Sequence, residues 1–130
     1  MLKTVARSRA SVIAQSIFYS ASGINHFWHE NFYLRIMPDH DAHPLTLVRL
    51  SGLAEILGGL GLLLPTTRRF SAIGIALMLV VFFDVHISML RHPARFPEVP
   101  EWVLWARLPL QFVLIAWALY YARRDAVSPR

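Results

Sequence analysis

Ala10–Trp28 runs for 19 residues without an aspartate, glutamate, lysine or arginine, and three more stretches of similar character follow it. Leu45–Leu64, Phe70–Leu90 and Val103–Ala122 are 20, 21 and 20 residues long, and their only formal charges are Arg49, Glu55, Asp84 and Arg107. A bilayer core about 30 Å thick is crossed by about 20 residues of α-helix. Joined by short loops, the four runs predict an all-α integral membrane protein, a four-helix bundle forming a single transmembrane domain over residues 1–130. A soluble bundle would bring back a polar face every three or four residues. LGGLGLLL (57–64) and IGIALMLVVFF (73–83) bring back none. Ala10–Trp28 also exceeds the about 7–15 residues of a signal-peptide core, so the first span is expected to be retained.

Charge orients the expected bundle. Lys3, Arg7, Arg9, Arg68, Arg69, Arg123, Arg124 and Arg130 lie at the termini and the second loop, against Arg35, Arg91 and Arg95 in the two opposite loops. Positive charge concentrates on the cytoplasmic side, which predicts both termini there and a multi-pass protein of the cell (inner) membrane. The net charge of +5 follows from this bias. The basic residues flank spans rather than forming one patch, which argues against nucleic acid as a partner. There is no cysteine, which removes thiol–disulfide catalysis and thiolate metal ligation.

The first run carries a polar stripe. Ser8, Ser11, Gln15, Tyr19, Ser22, His26 and His29 recur at steps of three and four, along one face of a helix otherwise made of valine, isoleucine, phenylalanine and alanine. Such a face turns toward protein or water and away from lipid. Glu55 is ten residues into the second run, about 15 Å deep, and Asp84 is six residues from the outer end of the third, about 9 Å in. With Arg49, His86, Arg107 and Gln111, every run places polar groups between the midplane and the outer surface. A lone charge at a helix centre costs about 2.5–3.5 kcal/mol, so Arg49 and Arg107 are expected to offset Glu55 and Asp84. Glu55, Asp84 and His26 are the candidate proton-exchange groups. Asn25, Arg49, His86, Arg107, Gln111, His29 and Tyr19 are the candidate ligand-binding groups. Asp84 and His86 stand about 200° apart on a helix, so both cannot point into one pocket.

His26, His29, His86, Glu55 and Asp84 are also suitable ligand types for a transition metal. No H-x-x-x-H or E-x-x-H pair occurs within a run, and no metal site is expected. His40, His43 and His92 fall in loops and are expected to be solvated. The alternative for all the buried polar residues is that they simply join helices, although such hydrogen bonds contribute only about 0.6–2 kcal/mol each in a membrane.

GINHFWHENFYLRIMP (23–38), SGLAEILGGLGLLLPTTRR (51–69) and RLPLQ (107–111) resemble the DoxX-like family of small bacterial four-helix membrane proteins. The E-x-x-G-G-x-G-L-L-x-P-x-T-R-R pattern from Glu55 to Arg69 is the most specific part. The resemblance implies a four-helix bundle in the cytoplasmic membrane. It also implies association with redox systems, as in relatives such as a thiosulfate:quinone oxidoreductase, a methylamine-utilisation maturation protein and a membrane oxidoreductase complex. Asn25, His26, Glu55, Arg107 and Gln111 fall within the matching stretches, and the absence of cysteine argues against a thiol relay in this member.

Three classes of function are therefore expected. The first is a membrane component of a redox system, holding a quinone-like lipophile in a polar pocket in the outer half of the bundle. Glu55, Asp84 or His26 would exchange protons there. No haem, flavin or iron–sulfur motif is present, so a redox protein partner would deliver the electrons. The others are a non-catalytic accessory or scaffold subunit, and a binding or transport protein for a small lipophile or ion. Lipid bilayer is the common partner of all three, and an oligomer is compatible with each.

Overall fold

A computed structural model describes residues 2–123, with side chains from Arg9 onward. Arg124 and Arg130 lie outside the described residues, as do the side chains of Lys3, Arg7 and Ser8. The described residues are all-helical and contain no strand. Helix α1 spans Leu2–Trp28, α2 Glu30–Ile36, α3 Pro44–Leu63, α4 Arg68–Arg91 and α5 Glu101–Tyr120. A single 3-10 turn, Pro93–Arg95, interrupts the proline-rich loop before α5, a segment expected to lack a helix of its own.

Local chemistry explains several helix ends. Pro44 occupies the first turn of α3, where its missing N–H costs nothing. At the other end Thr67 Oγ1 donates to Gly61 O at 2.7 Å, and Arg68 Nε donates to Leu62 O at 2.7 Å. These side chains satisfy carbonyls that the helix leaves unpaired at its C-terminus. Arg68 therefore serves as a cap on α3, a role beyond its part in the charge bias.

Helices α3, α4 and α5 are each long and apolar enough to cross a membrane. Helix α1 has the length but stands outside that set, because its serines, Gln15, Asn25 and His26 dilute its apolar character. Its outer face is nonetheless apolar, with Ile13, Ile17, Ile24 and Phe27 exposed. The same holds for Leu57, Leu77, Val81, Phe112 and Val113 on the other three helices. Inside lie Gln15, Ser16, His26, Glu55 and Gln111, all buried. Apolar side chains outward and polar ones inward is a distribution suited to lipid contact and not to water.

Helix α1 packs along α3, α3 against α4, and α4 against α5. Helices α1 and α5 share no comparable seam. They are tied at one end, where Trp117 Nε1 donates to Ser11 Oγ at 2.9 Å and Tyr121 also bonds to Ser11. Two apolar clusters divide the interior. One, at that tied end, holds Val12, Tyr19, Leu62, Ile75, Leu79 and Tyr121; the other, at the α2 end, holds Ile36, Met89, Phe96 and Leu104.

The α1–α3 seam depends on two glycines. A Cβ on Gly23 would strike the carbonyl oxygen of Gly52 and lie 2.7 Å from Ile56 Cγ1. A Cβ on Gly52 would lie 2.7 Å from His26 Cβ and 2.9 Å from the Gly23 carbonyl oxygen. Close backbone approach of this kind is how small residues hold membrane helices together. Gly23→Val should lower folding stability in detergent by about 1–3 kcal/mol, the cost of overpacking. Gly74→Ala, whose Cβ would meet nothing within 4 Å, should leave the thermal melt unchanged.

Candidate functional site

Between the two apolar clusters lies a pocket of about 280 Å³, with walls from all five helices. Helix α1 contributes Phe18, Tyr19, Ser22 and His26, α2 contributes Tyr33 and Ile36, and α3 contributes Val48, Ser51 and Glu55. Leu79, Phe82 and His86 come from α4, and Arg107, Leu110, Gln111 and Leu114 from α5. Six of the ten sequence candidates meet here: Tyr19, His26, Glu55, His86, Arg107 and Gln111.

The His26–Glu55 pair is the chemical centre. Val48, Gly52 and Glu55 follow one another at steps of four and three on the buried face of α3. His26 reaches this face from α1, with Nδ1 3.1 Å from Val48 O and 3.1 Å from Ser51 Oγ. Ser51 Oγ itself donates to Val48 O at 2.9 Å. A carbonyl oxygen can only accept, so Nδ1 carries a hydrogen and Nε2 faces Glu55. The Nε2 to Oε2 distance is 2.9 Å, but the ring N–H axis is not aligned for a hydrogen bond, and Oε2 retains unused acceptor capacity. Ser22 Oγ donates to the other oxygen, Oε1, at 3.2 Å. Between them imidazole and carboxyl can hold one exchangeable proton, as imidazolium with carboxylate or as imidazole with carboxylic acid. Both forms are neutral overall, so burial at 6% and 3% exposure is tolerable.

Three other groups face the pocket with capacity to spare. The Tyr19 hydroxyl and His86 Nδ1 are buried without a hydrogen-bond partner among the described residues. Arg107 has no carboxylate within 4.0 Å among them either, and its Nη1 donates only to Met89 Sδ at 3.0 Å. A thioether is a weak acceptor, leaving most of the guanidinium's donors unused. Gln111 is already engaged, donating to Leu79 O at 2.7 Å, and so joins α5 to α4.

The remaining candidates lie elsewhere. Arg49 and Arg107 do not offset Glu55 and Asp84, contrary to the expected charge balance. Arg49 is exposed and forms a two-pronged pair with Glu30, at 3.0 and 3.3 Å. Asp84, with its side chain 51% exposed, points away from the pocket and meets His40 Nε2 at 2.7 Å. Of the Asp84 and His86 alternatives, the inward one is His86. His40 has a partner rather than being simply solvated. With Asp41 it forms a cluster of metal-ligand types around Asp84; of the five residues weighed as metal ligands in the sequence, His26 and Glu55 meet and His86 lines the same pocket, but no three come within ligating distance of one another among the described residues.

Asn25 and His29 stand behind the pocket rather than in its wall. His29 Nδ1 bonds to Asn25 Oδ1, and Asn25 Nδ2 donates to the Tyr33 hydroxyl at 2.9 Å. Because that hydroxyl accepts from Asn25, its own hydrogen is left for the pocket. Tyr33 also stacks on His26, with ring centroids 4.0 Å apart. Sequence reasoning did not single out Tyr33, Ser22 or Ser51. Ser22 was on the stripe, and Tyr33 lies four residues beyond His29, where the stripe would continue.

Residues 15–122 match a family described as a domain of unknown function (DUF8561). The chain belongs to that family. No curated protein and no solved structure matches it. The match covers every residue lining the pocket, from Phe18 to Leu114.

Burial raises the Tyr33 hydroxyl above its ordinary value, with the Glu55 charge in the same direction and Asn25 and Arg107 opposing. The phenol therefore stays protonated at neutral pH and keeps its role as a donor. A raised folded-state value stabilises below about pH 10, the ordinary tyrosine value, and that contribution disappears as pH climbs through the folded value. Ultraviolet titration should show a tyrosinate step above about 10 that Tyr33→Phe removes. Asn25→Ala, which deletes a donor to the phenolic oxygen, should move that step further upward.

Proposed function

We propose that the chain is a four-helix, multi-pass protein of the inner membrane that holds the headgroup of a quinone-like lipophile and exchanges protons with it at His26 and Glu55. Both termini lie on the cytoplasmic side in this reading, α1 is the fourth crossing, and the chain is DoxX-like in its kinship. One observation carries the proposal. The Tyr19 hydroxyl on α1 and His86 Nδ1 on α4 face one pocket without a hydrogen-bond partner among the described residues, and Arg107 on α5 faces it with a thioether as acceptor. Buried polar groups are almost always satisfied, so three together point to a ligand that satisfies them.

The chemistry of such a ligand follows from the walls. Phe18, Leu79, Phe82, Leu110 and Leu114 suit a flat apolar ring. Arg107, Tyr19 and Tyr33 are donors for ring oxygens. Reduction of a quinone to a quinol takes two electrons and two protons. A redox protein partner supplies the electrons, the exchangeable proton of the His26–Glu55 pair is the first to be passed on, and the Tyr33 phenol gives the second. Ser22 and the Val48 carbonyl keep the pair oriented through that transfer.

The test uses purified full-length protein in detergent. It should carry, or take up, about one quinone per chain. Glu55→Gln and Tyr19→Phe should each weaken binding about 10–100-fold, the equivalent of about 1.5–3 kcal/mol for a hydrogen bond involving a charged or buried partner. The helical circular-dichroism spectrum should persist. Absence of any bound lipophile, with Glu55→Gln lowering only the melting temperature, would replace this reading with one in which the polar residues merely join the helices.

A further inference from the structure

We infer that the pocket is loaded sideways from the bilayer, through a slot between α1 and α5 whose lips are Phe18 and Leu110, and that the bound ligand keeps an apolar tail in the lipid. The inference rests on the pocket reading above and adds to it the route and the second half of the ligand.

Closure elsewhere singles out this slot. Helices α1 and α3 meet at Gly23 and Gly52, where no additional carbon fits. The α4–α5 seam is packed as well, and where a groove of about 400 Å³ runs between α3 and α4, Ser51 and Phe82, both half-buried, stand between it and the pocket. The outer end is roofed by α2, which places Tyr33 and Ile36 over the pocket. The roof is held by Arg49 to Glu30 and Arg35 to Glu98, and the loop after it by Asp39 to Arg95 and His40 to Asp84. The opposite end is plugged by the cluster around Leu62 and Tyr121, with Ser11 bonded to Trp117 and Tyr121. At the level of the pocket, α1 and α5 make no such seam.

The lips are on the lipid-facing surface. Phe18 and Leu110 line the pocket, yet are 47% and 54% exposed, and the other lining residues are half-buried or buried. Volume gives the second argument. About 280 Å³ is below the roughly 300–1,000 Å³ of pockets that enclose a drug-sized ligand. It admits a ring and leaves a long chain outside. Pro109 sits beside the slot within α5, where it cannot supply a backbone hydrogen bond and so loosens this turn.

The experiment compares decylubiquinone with the same benzoquinone ring lacking the tail, on the full chain in lipid nanodiscs. Both should bind the unaltered protein. Leu110→Trp should weaken decylubiquinone at least about tenfold more than it weakens the tailless ring, because only the tail must pass the lip in the bound state. Leu57→Trp, on the outer face of α3 and outside the pocket, should change neither. Should Leu110→Trp fail to fold, Phe18→Trp on the opposite lip gives the same reading. If both ligands bind and neither lip variant discriminates between them, lateral loading is overturned and the pocket reading stands. If neither ligand binds the unaltered protein, the pocket reading fails and takes the slot with it.

Discussion

Everything polar in the interior depends on the height at which α1 is locked against α3. The lock is steric at Gly23 and Gly52 and electrostatic across that crossing, where His26 and Glu55 reach toward each other from opposite sides because the two helices run antiparallel. The two are coupled by spacing: Gly23 and His26 are three residues apart on α1, and Gly52 and Glu55 three apart on α3. Sliding either helix by one residue, about 1.5 Å, would separate imidazole from carboxyl and leave a charge or an acid without a partner. Removing one member of a buried pair is strongly destabilising, on the order of 3–5 kcal/mol, so the seam has little freedom to slip. The Val48 carbonyl completes the device by fixing which histidine nitrogen meets Glu55.

Helical periodicity made much of this legible. The stripe through Gln15, Tyr19, Ser22 and His26 faces inward as its spacing requires, and Glu55 lies on the matching face of α3. The ends of the long helices follow from Pro44, Pro65 and the arginines. Residues near helix termini were a different matter. Arg49 and Asp84 have faces that period alone predicts, but their partners Glu30 and His40 depend on how α2 and its loop fold back, whereas His29 bonds to Asn25 one turn before it. The Arg49–Glu30 and His40–Asp84 contacts span 19 and 44 residues of sequence. No spacing rule along a single helix reaches that far. Tyr33 escaped notice for the same reason, since its place in the pocket wall is set by the roof and not by a span.

The expected neutral slab of four charges resolves into something more economical. Arg49 and Asp84 turn outward, where snorkelling and water make their charge inexpensive. What stays inside is the His26–Glu55 pair and Arg107. A guanidinium facing a thioether in an apolar pocket is an unusual choice for helix joining, because a leucine would pack there without a desolvation cost. Gln111 shows what joining looks like: one donor on one carbonyl at 2.7 Å, tying α5 to α4. Arg107 and Gln111, one turn apart on α5, therefore differ: one meets only a thioether, the other a main-chain carbonyl.

Magnitudes also decide what holds the roof. Four ion pairs ring α2 and the loops around it, but exposed pairs contribute about 0–1 kcal/mol each and weaken with salt. Beneath them Ile36, Met89, Phe96 and Leu104 are almost fully buried. Burying one such side chain from water is worth about 1.5–3 kcal/mol, and at this end of the molecule water is the competitor. The roof is therefore a packed structure with ion pairs at its edge rather than a charged clasp. A roof held this way does not open with modest changes of ionic strength or pH. Helices α1 and α5, by contrast, meet through no comparable packing at the level of the pocket.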